Sequence, residues 1–538
     1  MQLLSRLTRA RSGALISSLI VMGGFVLSRI TGLLRDIVIS ARFGTSPEYG
    51  AYIAAFRITD LLYILVIGGA LGSSFIPVFI QVWDRDGQLK AWRLASAVLT
   101  WTMIILTAAS ALLWLSAPTA ARWAYGSDSF SPALLELTVG FTRLFLLSPL
   151  LLGLGGLAMA ALNARERFAL PALAPTLYNL GIILGALLLT PSLGIWGLAW
   201  GVVLGSLLYL LFQIPGLLQI GLRLRLNLGR DLDELSTVAR QMGPRVLGQS
   251  AAHLSTLITA ALAARLDRGL ELLAGLNYAF QIMLLPYGIF SLSLSTVAYP
   301  TLARLNAEQR LDELRDLVRR TLGTILFLTA PAAVALIILG LPIVRLLLQR
   351  GVFDETSLRD TTGALLGYAA ALPAFAASEI LIRTFYAMQR TWVPVLVGIF
   401  QVGLNLLLGL LLSGRGIEGL AIAFTLANNL EALLLFLLLP RILPGIWRNQ
   451  PFWRSLTTTL LASLSLGGLL LLLNRSPLGS FDFLSPNTPY LWQRDILPLA
   501  LWLLGAGLSG AALYFGLSLT LGAREPRALL DRLRRKST

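Results

Sequence analysis

Three ionisable side chains lie inside a long apolar run near the start of the sequence. Arg29, Arg35 and Asp36 fall within residues 14–43, a stretch long enough to cross a bilayer. Each arginine or aspartate near the middle of a membrane costs about 2.5–3.5 kcal/mol to insert. We therefore expect these residues to form a cationic, partly paired face that is turned toward a water-filled cavity within the protein. The alternative is that both arginines extend to a headgroup layer.

A second charged pair lies in the next apolar run, where Arg57 and Asp60 are three residues apart. On a helix this spacing lets the two side chains satisfy each other within the membrane. The two runs together hold three arginines and two aspartates, and this excess of positive charge suits an anionic ligand. The alternative is that Arg57 and Asp60 form a purely structural pair. The small residues at 68–74 indicate either close helix packing or a bend.

Further polar residues lie in later apolar runs. Arg245 and His253 share one predicted helix, and Gln281 lies on the next, before a kink expected near residues 286–288. A lone histidine is more often a structural residue than a ligand or a proton carrier. Glu379 and Arg383 are four residues apart and most simply form a salt bridge.

The composition places the chain among polytopic membrane proteins. Of its 538 residues, 56% are hydrophobic and 13% are charged, and the mean hydropathy is +0.75. A soluble protein has about 45–50% apolar and about 25% charged residues. With no cysteine and one histidine, disulfides, cysteine nucleophiles and metal sites built on several histidines are excluded. The sequence lacks a Gly-x-x-x-x-Gly-Lys-Ser/Thr loop, so it is not an ATPase, and we expect no cofactor and no metal.

Fourteen apolar windows are each long enough to cross a hydrocarbon layer of about 30 Å. We therefore predict an all-α polytopic membrane protein of about 14 transmembrane helices, with no soluble domain between them. The predicted spans are 14–42, 50–82, 93–116, 133–162, 169–190, 195–221, 238–264, 270–303, 321–349, 362–388, 393–413, 417–440, 455–474 and 496–521.

Loop charges predict the orientation of these helices. With the N-terminus inside, alternate connections carry 27 basic residues on the inner side and nine on the outer side. Because basic loops stay in the cytoplasm, both termini are predicted to be cytoplasmic. The net charge of +16 then belongs mainly to cytoplasmic loops, and nucleic acid is not an expected partner. We interpret the basic N-terminal patch and its apolar run as an uncleaved first transmembrane helix.

The sequence also repeats itself. Three short motifs recur in order at offsets of 220–223 residues: 22–27 and 242–247, 164–171 and 387–394, 194–199 and 416–421. The repeat assigns helices 1–6 and 7–12 to two pseudo-symmetric six-helix lobes of the same orientation. Such an architecture is the usual basis for alternating access around a central site.

Two extra helices follow the repeat. Their cores hold almost no polar residue, which is consistent with a simple anchor or with a lipid-facing groove against the two lobes. The predicted division of the chain is an N-lobe, a C-lobe, and the last two helices with a basic cytoplasmic tail, over residues 1–230, 231–445 and 446–538.

Several motifs along the chain carry a resemblance to a known family. They are Ser28-Arg29-x-x-Gly32-x-x-Arg35-Asp36, Phe43-Gly44, Ala70-x-x-x-x-Phe75-x-Pro77, Pro171-Ala-x-Ala-Pro175-Thr-x-x-Asn179, Gln241-Met-Gly-Pro244, Gln349-x-Gly351-x-Phe353 and Phe385-Tyr386. In this order they resemble the MurJ (MviN) lipid II flippases of the multidrug/oligosaccharidyl-lipid/polysaccharide exporter superfamily. The match runs across the first twelve helices, and the two extra C-terminal helices fit as well.

The resemblance implies a transporter rather than an enzyme. Members of this family move the undecaprenyl-pyrophosphate-linked peptidoglycan precursor, lipid II, from the cytoplasmic to the periplasmic leaflet of the bacterial inner membrane, for cell wall biogenesis and cell shape. The resemblance further implies a cationic central cavity between the lobes, and a groove beside the last two helices that binds the lipid tail. The expected partners are this lipid-linked substrate, membrane lipids and proteins of cell-wall synthesis.

The predicted cavity combines residues that match the family with residues that depart from it. Tyr63 and Gln281 stand where the family commonly has arginines, and Gly50 and Gly68 stand where it has acids, so this cavity is expected to be less basic and less acidic. Tyr63 and Gln281 can still donate hydrogen bonds to a phosphate or sugar. Guanidinium forks match phosphate oxygens, so arginines are expected to hold the pyrophosphate. The predicted substrate-binding residues are Arg29, Arg35, Asp36, Arg57, Asp60, Tyr63, Arg245 and Gln281.

Two alternatives to lipid II transport remain open. One is an exporter of another lipid-linked oligosaccharide or of drugs, built on the same architecture. The other is a scaffold for the cell-wall machinery that does not transport. Depletion of a lipid II flippase would trap its precursor on the cytoplasmic side, a drug exporter would leave that pool untouched, and a scaffold would tolerate neutralised cavity arginines.

Overall fold

The computed structural model describes residues 23–24, 26–67, 74–126, 131–229, 231–475, 490 and 492–527, and the side chains at 66–67, 241–252 and 475 fall outside this description. Within these ranges the chain consists of helices, turns and short connections, and contains no β-strand. The predicted all-α membrane fold is therefore confirmed. The chain divides into two compact units between Leu257 and Ile258. The predicted three-part division at 230 and 445 stays a prediction.

The first unit begins with helix α1 over residues 26–43. Proline and side-chain caps set several helix starts, as at α5, where the Ser131 hydroxyl accepts a hydrogen bond from the Leu134 N–H at 3.3 Å. The helices that follow α1 are α2 (Pro47–Ile67), α3 (Ile76–Asp86), α4 (Gln88–Tyr125), α5 (Pro132–Phe145), α6 (Leu147–Ala164), α7 (Ala169–Leu184), α8 (Thr190–Leu193), α9 (Ile195–Leu211), α10 (Ile214–Gln219) and α11 (Asp233–Ala264), which continues into the second unit.

The second unit holds the remaining helices. At the start of α16, Asp354 accepts a hydrogen bond from the Ser357 N–H at 2.8 Å, an N-terminal cap. The helices are α12 (Gly269–Pro286), α13 (Ser293–Ala307), α14 (Leu311–Ile338), α15 (Gly340–Leu348), α16 (Glu355–Ala387), α17 (Trp392–Leu412), α18 (Gly416–Leu438), α19 (Gln450–Arg475) and α20 (Trp492–Thr520).

Ten helical segments of the described residues are long and apolar enough to cross a membrane. They coincide with eleven of the predicted windows, because the segment Trp392–Arg441 contains both α17 and α18. The other three windows fall on α1, on α2 with α3, and on α11, and each of them includes positions outside the description. The number of fourteen spans therefore stays a prediction. The window 321–349 is two helices, since the chain turns at Leu339 between α14 and α15.

The repeated motifs have the same local backbone conformation in both copies. Gly194 has φ and ψ of 57° and −140°, and Gly416 has 67° and −145°, a region that a Cβ would disfavour. Glu166 and Gln389, which follow α6 and α16, have φ of 56° and 58°. In both copies the next residue donates its N–H to the carbonyl five residues earlier at 2.9 Å. The internal repeat in the sequence therefore corresponds to a repeat in local structure.

Two helices of the first unit pack backbone to backbone. A Cβ on Gly181 of α7 would lie 2.3 Å from the Gly205 Cα of α9, and one on Gly185 would lie 2.4 Å from the Gly201 Cα. Gly181 with Gly185, which directly follows α7, and Gly201 with Gly205 of α9 thus form two Gly-x-x-x-Gly patterns, which let membrane helices approach closely. Because α7 also carries Asn179, this contact fixes the position of a polar side chain.

The last two helices pack against α14 and against each other. The buried Tyr514 hydroxyl of α20 donates a hydrogen bond to the Phe327 carbonyl of α14 at 2.7 Å. Leu466 of α19 and Ala506 of α20 share one apolar cluster with Leu339. The two helices are therefore an integral part of the second unit, and the lipid-facing groove beside them stays a prediction.

Candidate substrate-binding site

Two of the three predicted charges of α1, Arg35 and Asp36, form a compact, bonded cluster. Arg35 donates from Nε and Nη2 to the Asp36 Oδ1 at 3.0 and 2.9 Å, and from Nη1 to the Asn179 Oδ1 at 3.1 Å. The Arg35 and Asp36 side chains are 18% and 10% exposed. These bonds use three of the five guanidinium N–H groups and fix the plane of the fork. Arg35 is thus bonded inside the protein, unlike an arginine that extends to a headgroup layer.

Asn179 joins α7 to α1. Its Nδ2 donates to the Ser28 carbonyl at 3.1 Å and lies 3.4 Å from the Thr31 hydroxyl oxygen. The amide is buried and packs beside Gly32, where an added Cβ would lie 3.6 Å from the Asn179 Nδ2, an ordinary contact distance. One amide therefore accepts from Arg35 and donates to the α1 backbone. From the sequence, Asn179 was identified only as part of a motif and not as a site residue. A lone asparagine two residues before a Gly-x-x-x-Gly pattern could have indicated its role.

The predicted α2 residues contact α11 and an apolar cluster of the first unit. The Asp60 Oδ2 lies 3.5 Å from the His253 Nδ1 of α11, and the two side chains are 32% and 40% exposed. Tyr63 packs against an apolar cluster that includes Phe79 and Leu157. Arg57 is half-buried and engaged with other residues. The structure therefore brings Asp60 together with the only histidine of the chain, a contact that sequence reasoning missed because the two residues are far apart in sequence.

Three predicted residues remain, and each is described by its own position. Arg29 lies on α1, where it is half-buried and engaged with other residues. Gln281 is half-buried on α12 of the second unit. The backbone of Arg245 is helical within α11, and its side chain lies outside the description.

A predicted ion pair in the second unit is confirmed. The Arg383 Nε donates to the Glu379 Oε1 at 2.7 Å, and the Tyr287 hydroxyl donates to the Glu379 Oε2 at 2.8 Å. Tyr287 begins a π-helical turn, Tyr287–Leu292, directly after Pro286. The kink expected at this proline is therefore a local widening of the helix, a form often found at functional sites.

Arg345, one of the nine basic residues that the sequence assigned to the outer connections, is buried in the structure. It is fully buried on α15, where its Nε donates to the Gln349 Oε1 at 2.7 Å and its Nη2 to the Glu355 Oε1 at 2.6 Å. Its guanidinium also lies 5.4 Å from the centre of the Tyr490 ring. The motif residue Gln349 thus has a structural explanation, because it completes the hydrogen bonds of a buried charge.

Comparison with known proteins identifies the family. The family model described as "Lipid II flippase MurJ" matches residues 39–485, more than half of the chain. The chain belongs to the MurJ family of lipid II flippases. A curated relative named lipid II flippase MurJ, from Burkholderia cenocepacia, is 30% identical over 85% of this chain and 89% of its own length. Another, named probable lipid II flippase MurJ, from Bdellovibrio bacteriovorus, is 30% identical over 99% of both chains.

Solved structures show the same fold. A MurJ lipid II flippase in an inward closed conformation superposes with a TM-score of 0.72 at 22% identity, over 92% of this chain and 99% of that chain. A multidrug resistance MATE family transporter in an inward-facing conformation gives a TM-score of 0.65 at 17% identity, over 79% and 96%. The chain therefore shares its fold with these two transporters. With its apolar helices, the chain is a multi-pass bacterial inner-membrane protein of a transporter family.

Proposed function

We propose that this chain is a transporter, not an enzyme, and that it moves lipid II from the cytoplasmic to the periplasmic leaflet. The observation that carries the proposal is membership of the MurJ family, supported by a relative of that name aligned over 99% of the chain. The proposed mechanism is alternating access through a cationic central cavity. The matched geometry of the two repeats supports this mechanism, since pseudo-symmetric halves commonly adopt two packings of similar energy.

Arg35 is the proposed anchor for the pyrophosphate of the cargo. Its guanidinium is held by Asp36 and Asn179 through three N–H groups, which leaves the plane fixed and the remaining donors available to phosphate oxygens. A fork that is already ordered loses little entropy when it binds. Arg29 and Arg57 supply further positive charge in this proposal, while Asp36 keeps the buried cluster close to neutral before the cargo arrives.

The remaining predicted residues have supporting roles in the proposal. Tyr63 and Gln281 donate hydrogen bonds to the sugar or phosphate, and Arg245 adds charge. Asp60 belongs with His253, whose imidazole lies within 3.5 Å of it. Because these positions carry fewer charges than the family pattern has, binding of the cargo in this cavity depends more heavily on the α1 arginines.

Depletion of the protein tests the cargo. We expect depletion to leave the lipid-linked peptidoglycan precursor trapped on the cytoplasmic side of the membrane. An unchanged pool would favour an exporter of drugs or of other lipid-linked sugars. Reconstituted transport with a panel of lipid-linked sugars then measures the selectivity directly.

Substitution of Arg35 tests the anchor. Arg35→Ala is expected to abolish rescue of a strain that lacks its own flippase, while Arg35→Lys rescues in part because it keeps the charge and loses the planar fork. The control is Arg143→Ala. Arg143 donates to the Trp114 carbonyl at 3.3 Å and lies 4.5 Å from that ring, away from the α1 cluster. Full rescue by Arg35→Ala at normal membrane abundance would refute the anchor.

The proposed orientation places both termini and the loop 304–320 in the cytoplasm. Its support is the charge asymmetry of the connections, 27 basic residues against nine. In this orientation the protein receives cargo where the precursor is made and delivers it to cell-wall synthesis proteins, which are the proposed protein partners.

A further inference from the structure

An extended segment between α10 and α11 lies along the outer face of α4. In residues 222–229, here called the strap, leucine alternates with arginine, asparagine and a final glycine. The strap is held by α4 side chains: the Arg225 N–H donates to the Ser96 hydroxyl at 3.1 Å, and the Asn227 N–H to the Thr100 hydroxyl at 3.3 Å. The Trp101 indole N–H donates to the Leu228 carbonyl at 3.1 Å. Side-chain donors and acceptors thus replace the strand partner that this extended backbone lacks.

The strap runs up α4 and returns. It starts beside Gln88, whose Nε2 donates to the Ile220 and Gly221 carbonyls at 3.1 and 3.2 Å. It reaches Trp101, thirteen residues further along α4, or about 20 Å at the helical rise. Two ion pairs then bring the chain back, as the structure joins Asp231 to Arg93 and Glu234 to Lys90. The strap is therefore a short arch whose two ends are both anchored near the start of α4.

An apolar groove of about 1000 Å³ lies between this arch and α4. The α4 residues that line it extend from Ser96 to Ala111, about 22 Å at about 1.5 Å per residue. One leaflet of hydrocarbon is about 15 Å thick, so the groove is long enough for one acyl chain. Its walls are Leu99, Met103, Ile104, Ala108 and Leu154, with the exposed strap leucines at the rim.

The rim of the groove carries a cation. Arg225 lines the groove and is exposed, and no carboxylate of the described residues lies within ion-pair distance of its guanidinium. Arg93, by contrast, is already paired with Asp231. Leu226, the neighbour of Arg225, is 96% exposed, which places an exposed apolar side chain beside a basic one. An apolar trough with an arginine at its mouth is complementary to a lipid with a negative headgroup.

We propose that this groove is a binding site for one anionic phospholipid. Its acyl chain lies along α4 between Leu99 and Ala111, and its phosphate is bound by Arg225. In the orientation proposed above, this lipid belongs to the cytoplasmic leaflet. The site lies on the outer face of α4, and it is separate from the α1 cluster that is proposed to hold the cargo. A bound lipid there would hold the strap, and with it the start of α11, against the first unit.

Native mass spectrometry of the purified full chain tests this site, with phosphatidylglycerol and phosphatidylcholine added at equal concentration. We expect one retained phosphatidylglycerol and at least five-fold less phosphatidylcholine. Arg225→Gln should lower phosphatidylglycerol retention about five-fold, equivalent to about 1 kcal/mol for one arginine at an anionic surface. Ala108→Trp should lower it as well, by filling the exposed groove.

Matched variants decide the outcome. Arg223→Gln removes an exposed arginine two residues away that does not line the groove, and Leu112→Trp adds bulk to the same helix beyond it. Both should retain phosphatidylglycerol as the unchanged protein does. Equal losses for Arg223→Gln and Arg225→Gln would show a diffuse surface attraction and overturn the site. The proposal would also be overturned if the protein retained both lipids equally, or if Ala108→Trp retained phosphatidylglycerol as the unchanged protein does. Displacement of phosphatidylglycerol by undecaprenyl phosphate would overturn it as well, because the groove would then belong to the cargo tail. None of these measurements depends on transport.

Discussion

The adjacent Arg35 and Asp36 allow the structural and the cargo-binding roles of the α1 cluster to be separated. Arg35→Ala alone leaves the Asp36 carboxylate, which is 10% exposed, without its cation. Removal of one partner from a buried pair costs about 3–5 kcal/mol of stability. The double variant Arg35→Ala/Asp36→Ala removes both charges, so it loses mainly the charge-assisted bond to Asn179 at 3.1 Å, a loss of about 1.5–3 kcal/mol.

The double variant should therefore be more stable than the single one, by about 1–2 kcal/mol given the modest couplings measured between polar groups in membranes. Transport should stay lost in both, because neither has the cation that is proposed to bind pyrophosphate. The assay pairs thermal unfolding of the purified variants with rescue of a flippase-deficient strain at matched membrane abundance. Rescue by the double variant would refute the reasoning, since it would show that Arg35 serves only to neutralise Asp36.

A matched pair elsewhere in the chain provides the control. Arg494 and Asp495 are also adjacent, their Nε and Oδ1 are 2.7 Å apart, and the aspartate is buried. Arg494→Ala/Asp495→Ala should alter stability without abolishing rescue, because this pair lies on α20, outside the proposed site. Loss of rescue by this control at normal abundance would mean that any broken arginine–aspartate pair stops transport.

Three further outcomes are expected. A periplasm-active reporter fused after the last residue should be inactive, and strong activity would contradict the proposed orientation. Gly181→Ala should destabilise the first unit by about 1–3 kcal/mol, because its Cβ would lie 2.3 Å from a facing backbone; Gly403→Ala, whose Cβ meets nothing within 4 Å, should be neutral or slightly stabilising. Hydrogen bonds from Arg85 and Lys90 lower the pKa of Asp86 to about 2. The contribution of Asp86 to the free energy of unfolding is therefore complete above its unfolded pKa of about 4, and it is lost only as the pH falls toward 2. The distance between spin labels attached at Leu89→Cys and Asp233→Cys should therefore stay constant from pH 5 to 8. A change of this distance within that range would contradict the assigned ion pairs.

Local periodicity in the sequence predicted the contacts and turns that depend on residues close together in the chain. The Glu379–Arg383 bridge was predictable because residues four apart share a helix face. The turn that separates α17 from α18 was predictable too, since one apolar window ends at residue 413 and the next begins at residue 417. Windows of average hydropathy did not locate the break at Leu339, because apolar residues continue on both sides of it.

Contacts between distant segments were not predictable in this way. Asn179 meets Arg35 across 144 residues, and no periodicity links the two. His253 meets Asp60 for the same reason on another pair of helices. The buried Arg345 was assigned to an outer connection because its charge was counted without its partners, and only the fold shows that Gln349 and Glu355 satisfy it.

The position of the proposed cargo anchor depends on apolar contact as much as on charge. Asn179 precedes Gly181 by half a helical turn, and at Gly181 the backbones of α7 and α9 touch. Since α7 cannot shift without opening that contact, Asn179 is held rigidly and transmits its position to the Arg35 fork through one hydrogen bond. The cost of burying the arginine is offset within the first unit, by Asp36 and Asn179, before any cargo binds. It follows that bulk added at Gly181 would weaken binding of a pyrophosphate without altering any charge that contacts it.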